Sequence, residues 1–147
     1  MTRFAEGPGA SPGFLLWHLT LAWQRAVTTA LAPMGLTHVQ FVLLACTWWL
    51  TEHGSPPNQL EVARQAGTDV RMTSEVVRKL ETKGLLTREV DASDSRARRL
   101  RPTAAGARLA QEAIDAVEQV DADFFERETD LTPLLQRLLA ARAVPER

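Results

Sequence analysis

Apolar residues recur at helical spacing along most of the chain, and this pattern predicts six helices. They are expected at about residues 14–31, 38–53, 59–66, 70–83, 104–128 and after Thr132. Thr132 should cap the last helix, with Pro133 at its first position, and its buried face should consist of Leu134, Leu135, Leu138 and Leu139. Between the fourth and fifth helices, two short segments at 85–90 and 99–101 are typical of a two-stranded loop. The pattern therefore predicts a mainly α protein with one small β-wing.

The first two helices are apolar on more than one face, which is typical of helices buried by several neighbours. Pro33 and Gly35 end the first helix. Thr37 and Gln40 form the sequence pattern of a capping box, so the second helix should begin directly after Thr37. We expect this second helix to lie at the centre of the fold.

The fourth helix has two distinct faces. The first is a stripe for packing, made of Thr73, Val76, Val77 and Leu80. The second is polar and points elsewhere, with Arg71, Ser74, Glu75 and Arg78. Because Gly67–Asp69 forms only a tight turn after the third helix, which Asn58 caps, the segment predicts a helix-turn-helix.

The predicted wing is rich in arginine. A polar turn over 91–95 precedes Arg96, Arg98, Arg99 and Arg101, and Pro102 ends the return strand. Residues 58–103 hold 10 Lys and Arg against 7 Asp and Glu, whereas the whole chain has a net charge of −1. A local positive surface of this kind suits phosphate, although charge alone is equally typical of a solvated face.

Composition places the chain among ordinary globular proteins of one domain, with 147 residues and 45% apolar content. The single cysteine, Cys46, excludes an internal disulfide framework and agrees with a reducing compartment. No signal peptide and no run of 18 apolar residues is visible, so we expect no membrane partner and a cytoplasmic location. Residues 1–13 are rich in Gly and Pro and are predicted to form a disordered arm.

Two segments in this order resemble the MarR family of bacterial winged-helix regulators. The first, VVRKLETKGLLTRE, is similar to the family pattern L-x-x-L-E-x-x-G-L-[VI]-x-R, matched here by Val77, Leu80, Glu81, Gly84, Leu85, Leu86 and Arg88. The second, DASDSRARRLRPTAAG, is similar to D-x-R-x-x-x-[LV]-x-L-T, matched here by Asp94, Arg96, Leu100 and Thr103. Pro102 stands where the family usually has Leu, which should alter only the end of the strand.

The resemblance implies one domain over 14–143, with a winged helix-turn-helix at about 37–103. It also implies a homodimer formed by helices at about 14–31 and 104–142. Double-stranded DNA would be the partner, with the fourth helices in successive major grooves and the wings in flanking minor grooves. Repression relieved by a small phenolic compound or an oxidant is a further expectation. Cys46 lies inside an apolar helix and is expected to be inert, which argues against an oxidant.

Arginine and serine are suited to DNA binding. Arg binds guanine edges or phosphate, and a Ser hydroxyl can donate to or accept from a base edge. Arg71, Ser74 and Arg78 are therefore the candidate contacts on the fourth helix, with ordinary solvation as the alternative. Thr73 is assigned to packing first and to DNA second. In the wing, the resemblance makes Arg96 the minor-groove residue, held by Asp94. Three further wing arginines, Arg98, Arg99 and Arg101, are expected to contact phosphates; the alternative is a charged edge that prevents aggregation.

A second candidate site lies on the first two helices, where aromatic residues crowd. Trp17, His18, His38 and Phe41 are the candidate contacts for a small aromatic effector, such as a flat phenolic acid. His38 stands at the start of the second helix, near the positive end of its dipole. Packing in the core is the stronger alternative for aromatic residues on helices that are apolar all round.

No catalytic motif, metal-ligand spacing or cofactor fingerprint appears in the sequence, so we expect neither an enzyme nor a bound cofactor. Two alternatives to DNA binding stay open. One is a winged-helix module that binds another protein, and the other is a small-molecule binding protein built on the first two helices.

Overall fold

The computed structural model describes residues 3, 5–126 and 128–143, and its elements follow the predicted order. The helices are α1 (Pro12–Leu31), α2 (His38–Glu52), α3 (Gln59–Ala66), α4 (Val70–Thr82), α5 (Ala104–Phe124) and α6 (Leu131–Ala140). The strands are β1 (Leu86–Val90) and β2 (Arg98–Pro102). Short 3-10 turns, Pro8–Ala10 and Ala32–Met34, flank α1. The mainly α fold with a small β-wing is confirmed.

Local capping explains where α2 and α3 begin. The Thr37 hydroxyl accepts a hydrogen bond from the Gln40 amide, and the Gln40 side chain accepts one from the Thr37 amide, both at 3.2 Å. Asn58 and Glu61 form the same reciprocal pair at the start of α3, at 2.9 and 3.0 Å. Each pair satisfies amides that have no partner within the helix, so each start is fixed locally.

The core is built around α2, as the sequence predicts. α2 packs against α1, α3, α4, α5 and β2. Leu43, Leu44 and Thr47 are fully buried on it. The predicted stripe of α4 is also buried and turns toward this core. The opposite face of α4 is therefore left outside the core.

The wing is an antiparallel hairpin in which Leu86 pairs with Pro102 and Val90 pairs with Arg98. The Leu100 amide donates to the Pro57 carbonyl at 2.7 Å, so β2 is tied to the segment before α3. Pro102 stands at the end of β2, where a missing amide costs the ladder little.

A close contact holds the wing to the start of α5. Thr103 caps α5 by accepting from the Gly106 amide at 3.0 Å, and its hydroxyl donates to the Gly84 carbonyl at 2.7 Å. Gly84 has a φ of +73°, as expected for the residue that ends α4. A Cβ atom at Gly106 would lie 1.9 Å from the carbonyl oxygen of Leu85, so this contact needs a glycine.

Both ends of the chain differ from the predicted boundaries. Residues 8–13, predicted to be disordered, contain a 3-10 turn and the first residues of α1, which Ser11 caps. Met1, Thr2 and Phe4 of that predicted arm lie outside the described residues. α5 ends at Phe124 instead of residue 128, and α6 begins at Leu131 instead of after a Thr132 cap. Pro133 lies within the first turn of α6, where no amide partner is required.

The apolar faces at the two ends are exposed in the single subunit. On α1, Phe14, Leu15, Leu16, Trp17 and Leu19 are each at least 45% exposed, and Val27 and Leu31 alone are buried on this helix. Leu134, Leu135, Leu138 and Leu139 of α6 were expected to be buried, but they are 42–75% exposed. Apolar patches of this size on a folded protein usually mark an interaction surface.

Across the described residues, no single helix is long and apolar enough to cross a membrane. α1 with its following turn and α2 pass such a test only as a pair bent by 74°, and only on length and composition.

Candidate nucleic-acid interface

The outward face of α4 carries the polar residues predicted for it. Asp69 caps the helix by accepting from the Met72 amide at 2.8 Å. Arg78 is exposed and Ser74 is half-buried. Arg71 pairs with Glu75 at 3.7 Å, and both side chains are largely exposed. An exposed pair of this kind contributes little to stability, so a phosphate can take the place of Glu75.

Thr73 does not lie on that face. It is fully buried, and its hydroxyl donates to the Asp69 carbonyl at 2.8 Å and lies 2.7 Å from the Thr68 hydroxyl. These contacts are those of a packed residue, which is the first of the two roles predicted for Thr73. We therefore leave Thr73 out of the candidate surface.

The wing tip is shaped by Asp94 and presents Arg96. The Asp94 carboxylate accepts from the backbone amide of Arg96 at 2.9 Å, which fixes the turn and not the arginine side chain. The Arg96 guanidinium has no hydrogen bond or ion pair with the described residues and is exposed. Arg98 is also exposed, and its guanidinium donates only to nearby carbonyls of the tip, those of Ser95 and Ala97, at 3.2 Å. Both arginines are therefore available to an anion.

Arg99 points the other way, into the base of the wing. Its guanidinium donates to Asp91 at 2.5 Å and to the Pro56 carbonyl at 3.1 Å, and it lies 3.4 Å from Glu61 of α3. Hydrogen bonds from the Ser93 hydroxyl and amide, and then from Arg99, hold the pKa of Asp91 well below its usual range. A phosphate contact of Arg99, as expected from the sequence, would have to compete with these two carboxylates.

Two more arginines of the hairpin, Arg88 and Arg101, form ion pairs of their own. Arg101 pairs with Glu89 across the strands at 3.2 Å. Arg88 pairs with Glu81 of α4 and also donates to Gln59 of α3. The wing is thus joined to both helices of the helix-turn-helix, and its unpaired cations collect at the tip.

The four residues predicted to bind an effector are not brought into one site. Trp17 is 63% exposed and lines an open groove on α1, and His18 makes an edge-to-face contact with Phe14 on the same helix, with ring centroids 4.5 Å apart. His38 and Phe41 are half-buried at the start of α2. The Phe41 side chain packs against the core, so its packing alternative holds.

His38 lies against Trp23, an aromatic residue of α1, and Trp23 in turn bonds to Asp121, which the sequence did not indicate as part of a site. The His38 ring meets the edge of Trp23 with centroids 5.1 Å apart, and the Trp23 indole donates to Asp121 of α5 at 2.7 Å. Burial lowers the pKa of His38, while the charge of Asp121 acts in the opposite direction. Trp23 and Asp121 are 98 residues apart, so no local pattern could have paired them.

Comparison with known proteins agrees with this geometry. A family model described as the MarR family matches residues 36–97. The chain is 44% identical over 120 residues to the HTH-type transcriptional regulator YdcH of Bacillus subtilis, and the match covers 82% of each chain. The chain belongs to the MarR family. It is also 32% identical over 117 residues to the HTH-type transcriptional repressor Rv2887 of Mycobacterium tuberculosis, covering 80% of this chain and 81% of the relative.

Two solved structures of MarR-like proteins superpose on the chain. CouR of Rhodococcus jostii, bound to p-coumaroyl-CoA, has a TM-score of 0.83 and 28% identity, covering 97% of this chain and 99% of CouR. The Mycobacterium tuberculosis MarR family protein Rv2887, in complex with salicylic acid, has a TM-score of 0.64 and 29% identity, covering 91% and 97%. As a member of the MarR family, this chain is a transcriptional regulator with a DNA-binding winged helix, and it is not an enzyme.

Proposed function

We propose that this protein is a homodimeric repressor that binds an inverted-repeat operator in the cytoplasm. The observation that carries the proposal is the position of the unpaired cations. Arg78 on α4 and Arg96 and Arg98 at the wing tip are exposed, whereas the other wing arginines are engaged in ion pairs. Cations on a helix face and on a projecting hairpin suit two neighbouring grooves of one duplex.

Each candidate residue has a role in this proposal. Ser74 and Arg78 contact base edges or phosphates in the major groove, and Arg71 exchanges Glu75 for a phosphate. Arg96 enters the flanking minor groove, whose negative potential is greatest where A·T pairs make it narrow. Asp94 acts indirectly by holding the turn that presents Arg96, and Arg98 neutralises a phosphate beside it.

The exposed apolar faces support the dimer in this proposal. The first half of α1 and the leucines of α6 leave apolar surface in water on a single subunit. A second copy would bury both faces at once and would set the distance between the two α4 helices. With half-sites about one helical turn apart, each subunit reads one half of the repeat.

We further propose that a small aromatic ligand relieves repression. The support comes from the relatives whose structures contain p-coumaroyl-CoA and salicylic acid, and from the aromatic residues Trp23 and His38 between α1 and α2. A ligand bound there would act by favouring one distance between the α4 helices over another, because a mismatched dimer loses groove contacts. Titration of phenols and aromatic acids against the bound operator tests this; release by none of them removes the phenolic version.

The decisive experiment for the proposed function is selection of bound duplexes from a random pool. The expected result is an inverted repeat whose binding weakens steeply with salt, as counterions released from DNA require. A module that binds protein instead would recover no consensus and would show no such salt dependence. Recovery of a single half-site would contradict the dimer, but it would still support α4 and the wing as the DNA-binding surface.

A further inference from the structure

Two large apolar side chains are exposed on the first turn of α4, beside its polar outward face. Val70 is 56% exposed and Met72 is 43% exposed. Between them in the sequence lies Arg71, whose side chain is 90% exposed. Most of the other exposed large apolar residues in the described part of the chain belong to α1 and α6. The apolar pair on α4 therefore needs a partner other than the one proposed for the two ends of the chain.

Hydrogen bonds to the preceding turn fix the position of this apolar pair. The Asp69 carboxylate accepts from the Met72 amide at 2.8 Å. The buried Thr73 hydroxyl donates to the Asp69 carbonyl at 2.8 Å and lies 2.7 Å from the Thr68 hydroxyl. Because side chains of an α-helix lean toward its N-terminus, those of Val70 and Met72 lean toward the start of α4. Both are thus presented at the N-terminal end of the helix.

That end of α4 is the part expected to approach the bases. α4 is the second helix of the helix-turn-helix in a DNA-binding winged helix. In such motifs the N-terminal residues of the second helix contact base edges in the major groove. Hydrogen-bonding groups line those edges, and their one large apolar group is the C5-methyl of thymine. We propose that Val70 and Met72 recognise thymine methyl groups and thereby help to determine the operator sequence.

The two kinds of side chain on this face differ in selectivity. The Ser74 hydroxyl can bond to either kind of base edge, and Arg78 can bind guanine or a phosphate. An apolar side chain gains from contact with a methyl group, because both lose exposure to water. Against another base it would cover a polar edge without replacing the hydrogen bond to water, which is costly. Val70 and Met72 therefore favour thymine over the other bases.

A protein partner is the competing occupant of this apolar pair. The surroundings favour DNA, because the pair is continuous with the polar face of α4 and two exposed arginines, Arg71 and Arg78, lie on the same helix. Those cations suit the phosphates that border a groove, whereas the cores of protein interfaces are depleted of charge. Charge complementarity thus assigns the pair to the DNA-binding surface.

The inference rests on the proposed function, since it assigns bases to the same surface, and its test uses the duplex recovered from the random pool. That duplex is synthesised with thymine and then, one position at a time, with deoxyuridine, which lacks only the methyl group. Fluorescence anisotropy measures both affinities. We expect loss of a recognised methyl to weaken binding about four-fold, which corresponds to ~0.8 kcal/mol for one buried CH₂ group.

Val70→Ala and Met72→Ala are the informative variants, since alanine removes the apolar contact and favours a helix more than either residue. Each should bind the thymine and deoxyuridine duplexes equally at one position of the half-site and should melt like the parent protein. Leu60→Ala is the matched control, because Leu60 is 46% exposed on the first turn of α3, the helix that crosses the DNA backbone. It should keep the four-fold effect of the methyl group.

Three outcomes would overturn this inference: a half-site in which no methyl group affects binding, a methyl effect that persists in both α4 variants, or a methyl effect that is also lost in Leu60→Ala. Any of them, obtained with a recovered inverted repeat, leaves the proposed repressor in place and removes only the thymine contacts. A selection that yields no consensus sequence would instead contradict the proposed function and this inference with it.

Discussion

The four arginines of the wing show how neighbouring residues of one type acquire different roles. Arg99 and Arg101 lie on β2, where Asp91, Glu61 and Glu89 surround them within 3.4 Å. Arg96 lies in the turn, where the one nearby carboxylate, Asp94, is already bonded to the backbone. The available partners, and not the residue type, therefore decide which arginine can bind DNA.

Arg96→Ala tests this distinction directly. We expect operator binding to weaken by about 1–3 kcal/mol, because a groove contact is lost, while dimerisation and the melting temperature stay the same. Fluorescence anisotropy with the selected operator would measure the affinity. Arg108→Ala, which removes an exposed arginine from α5, serves as the control and should bind the operator like the parent protein. Unchanged affinity in Arg96→Ala would show that the wing tip does not touch DNA.

Arg99→Ala should behave differently, because it breaks contacts between β2, Pro56 and Glu61. Its melting temperature should fall even without DNA, as Asp91 is left buried without its cation. Differential scanning calorimetry would measure this change. A normal melting temperature combined with a loss of operator affinity would instead indicate that Arg99 contacts DNA.

His38 makes stability depend on pH. Its pKa in the folded protein is lowered by burial, so the unfolded chain takes up a proton more readily as the pH falls below about 6.5. The free energy of unfolding should therefore decrease between pH 7.5 and 5, a range above the titration of the carboxylates. Urea unfolding of His38→Gln should show a shallower decrease. His18→Gln should keep the parent dependence because His38 is still present; equal slopes in all three proteins would contradict the assignment.

At the level of whole elements, local signals in the sequence were sufficient for much of the fold. The Thr37–Gln40 box and the Asn58 cap fixed two helix starts, since each depends on residues three positions apart. The stripe of α4 was also predictable, because its spacing decides which face can enter a core. The chain ends were predicted less closely: Asp130 precedes α6 without a side-chain cap, and Thr132, the predicted cap, lies within the first turn of the helix.

Contacts between distant elements could not be predicted from the sequence, and the reason is physical. Arg99 meets Glu61 only when the wing folds against α3, and Trp23 meets Asp121 only when α1 packs on α5. The same residues look like ordinary surface charges or core aromatics when they are considered separately. Hence the outward face of α4 was predicted, whereas the ion pairs of Arg99 and the hydrogen bond between Trp23 and Asp121 were not.

The junction between the wing and α5 depends on one glycine. Gly106→Ala would place a methyl group 1.9 Å from the Leu85 carbonyl, so the backbone of one element must move. We expect a loss of about 1–3 kcal/mol in the free energy of unfolding, as for other overpacked sites, measured by urea denaturation. Gly54→Ala is the matched control, since its new methyl meets only an ordinary contact at 3.4 Å and should change stability by less than about 0.5 kcal/mol. Similar effects of the two variants would show that the α5 contact is loose.

For the whole molecule, the distribution of exposed surface is more informative than the net charge of −1. Among the described residues, Arg78 of α4 and Arg96 and Arg98 at the wing tip are exposed without an ion pair, while most of the exposed large apolar residues lie on the first half of α1 and on α6. A folded chain gains nothing from apolar surface in water, and a second copy gives that surface a partner. In the proposed dimer, the two ends of the chain would set the distance between the two α4 helices.

The proposed dimer can be separated from the fold by charging its apolar faces. In the double variant Trp17→Glu and Leu138→Glu, carboxylates replace two exposed apolar side chains, which are 63% and 46% exposed, so the subunit itself should fold normally. We expect a monomer by sedimentation equilibrium and about a 100-fold loss of operator affinity, because the second half-site no longer benefits from the first. Val90→Glu, which charges an exposed apolar residue of the wing, should remain a dimer in the same sedimentation experiment. A dimeric double variant would place the subunit interface elsewhere and would leave the leucines of α6 without an explanation.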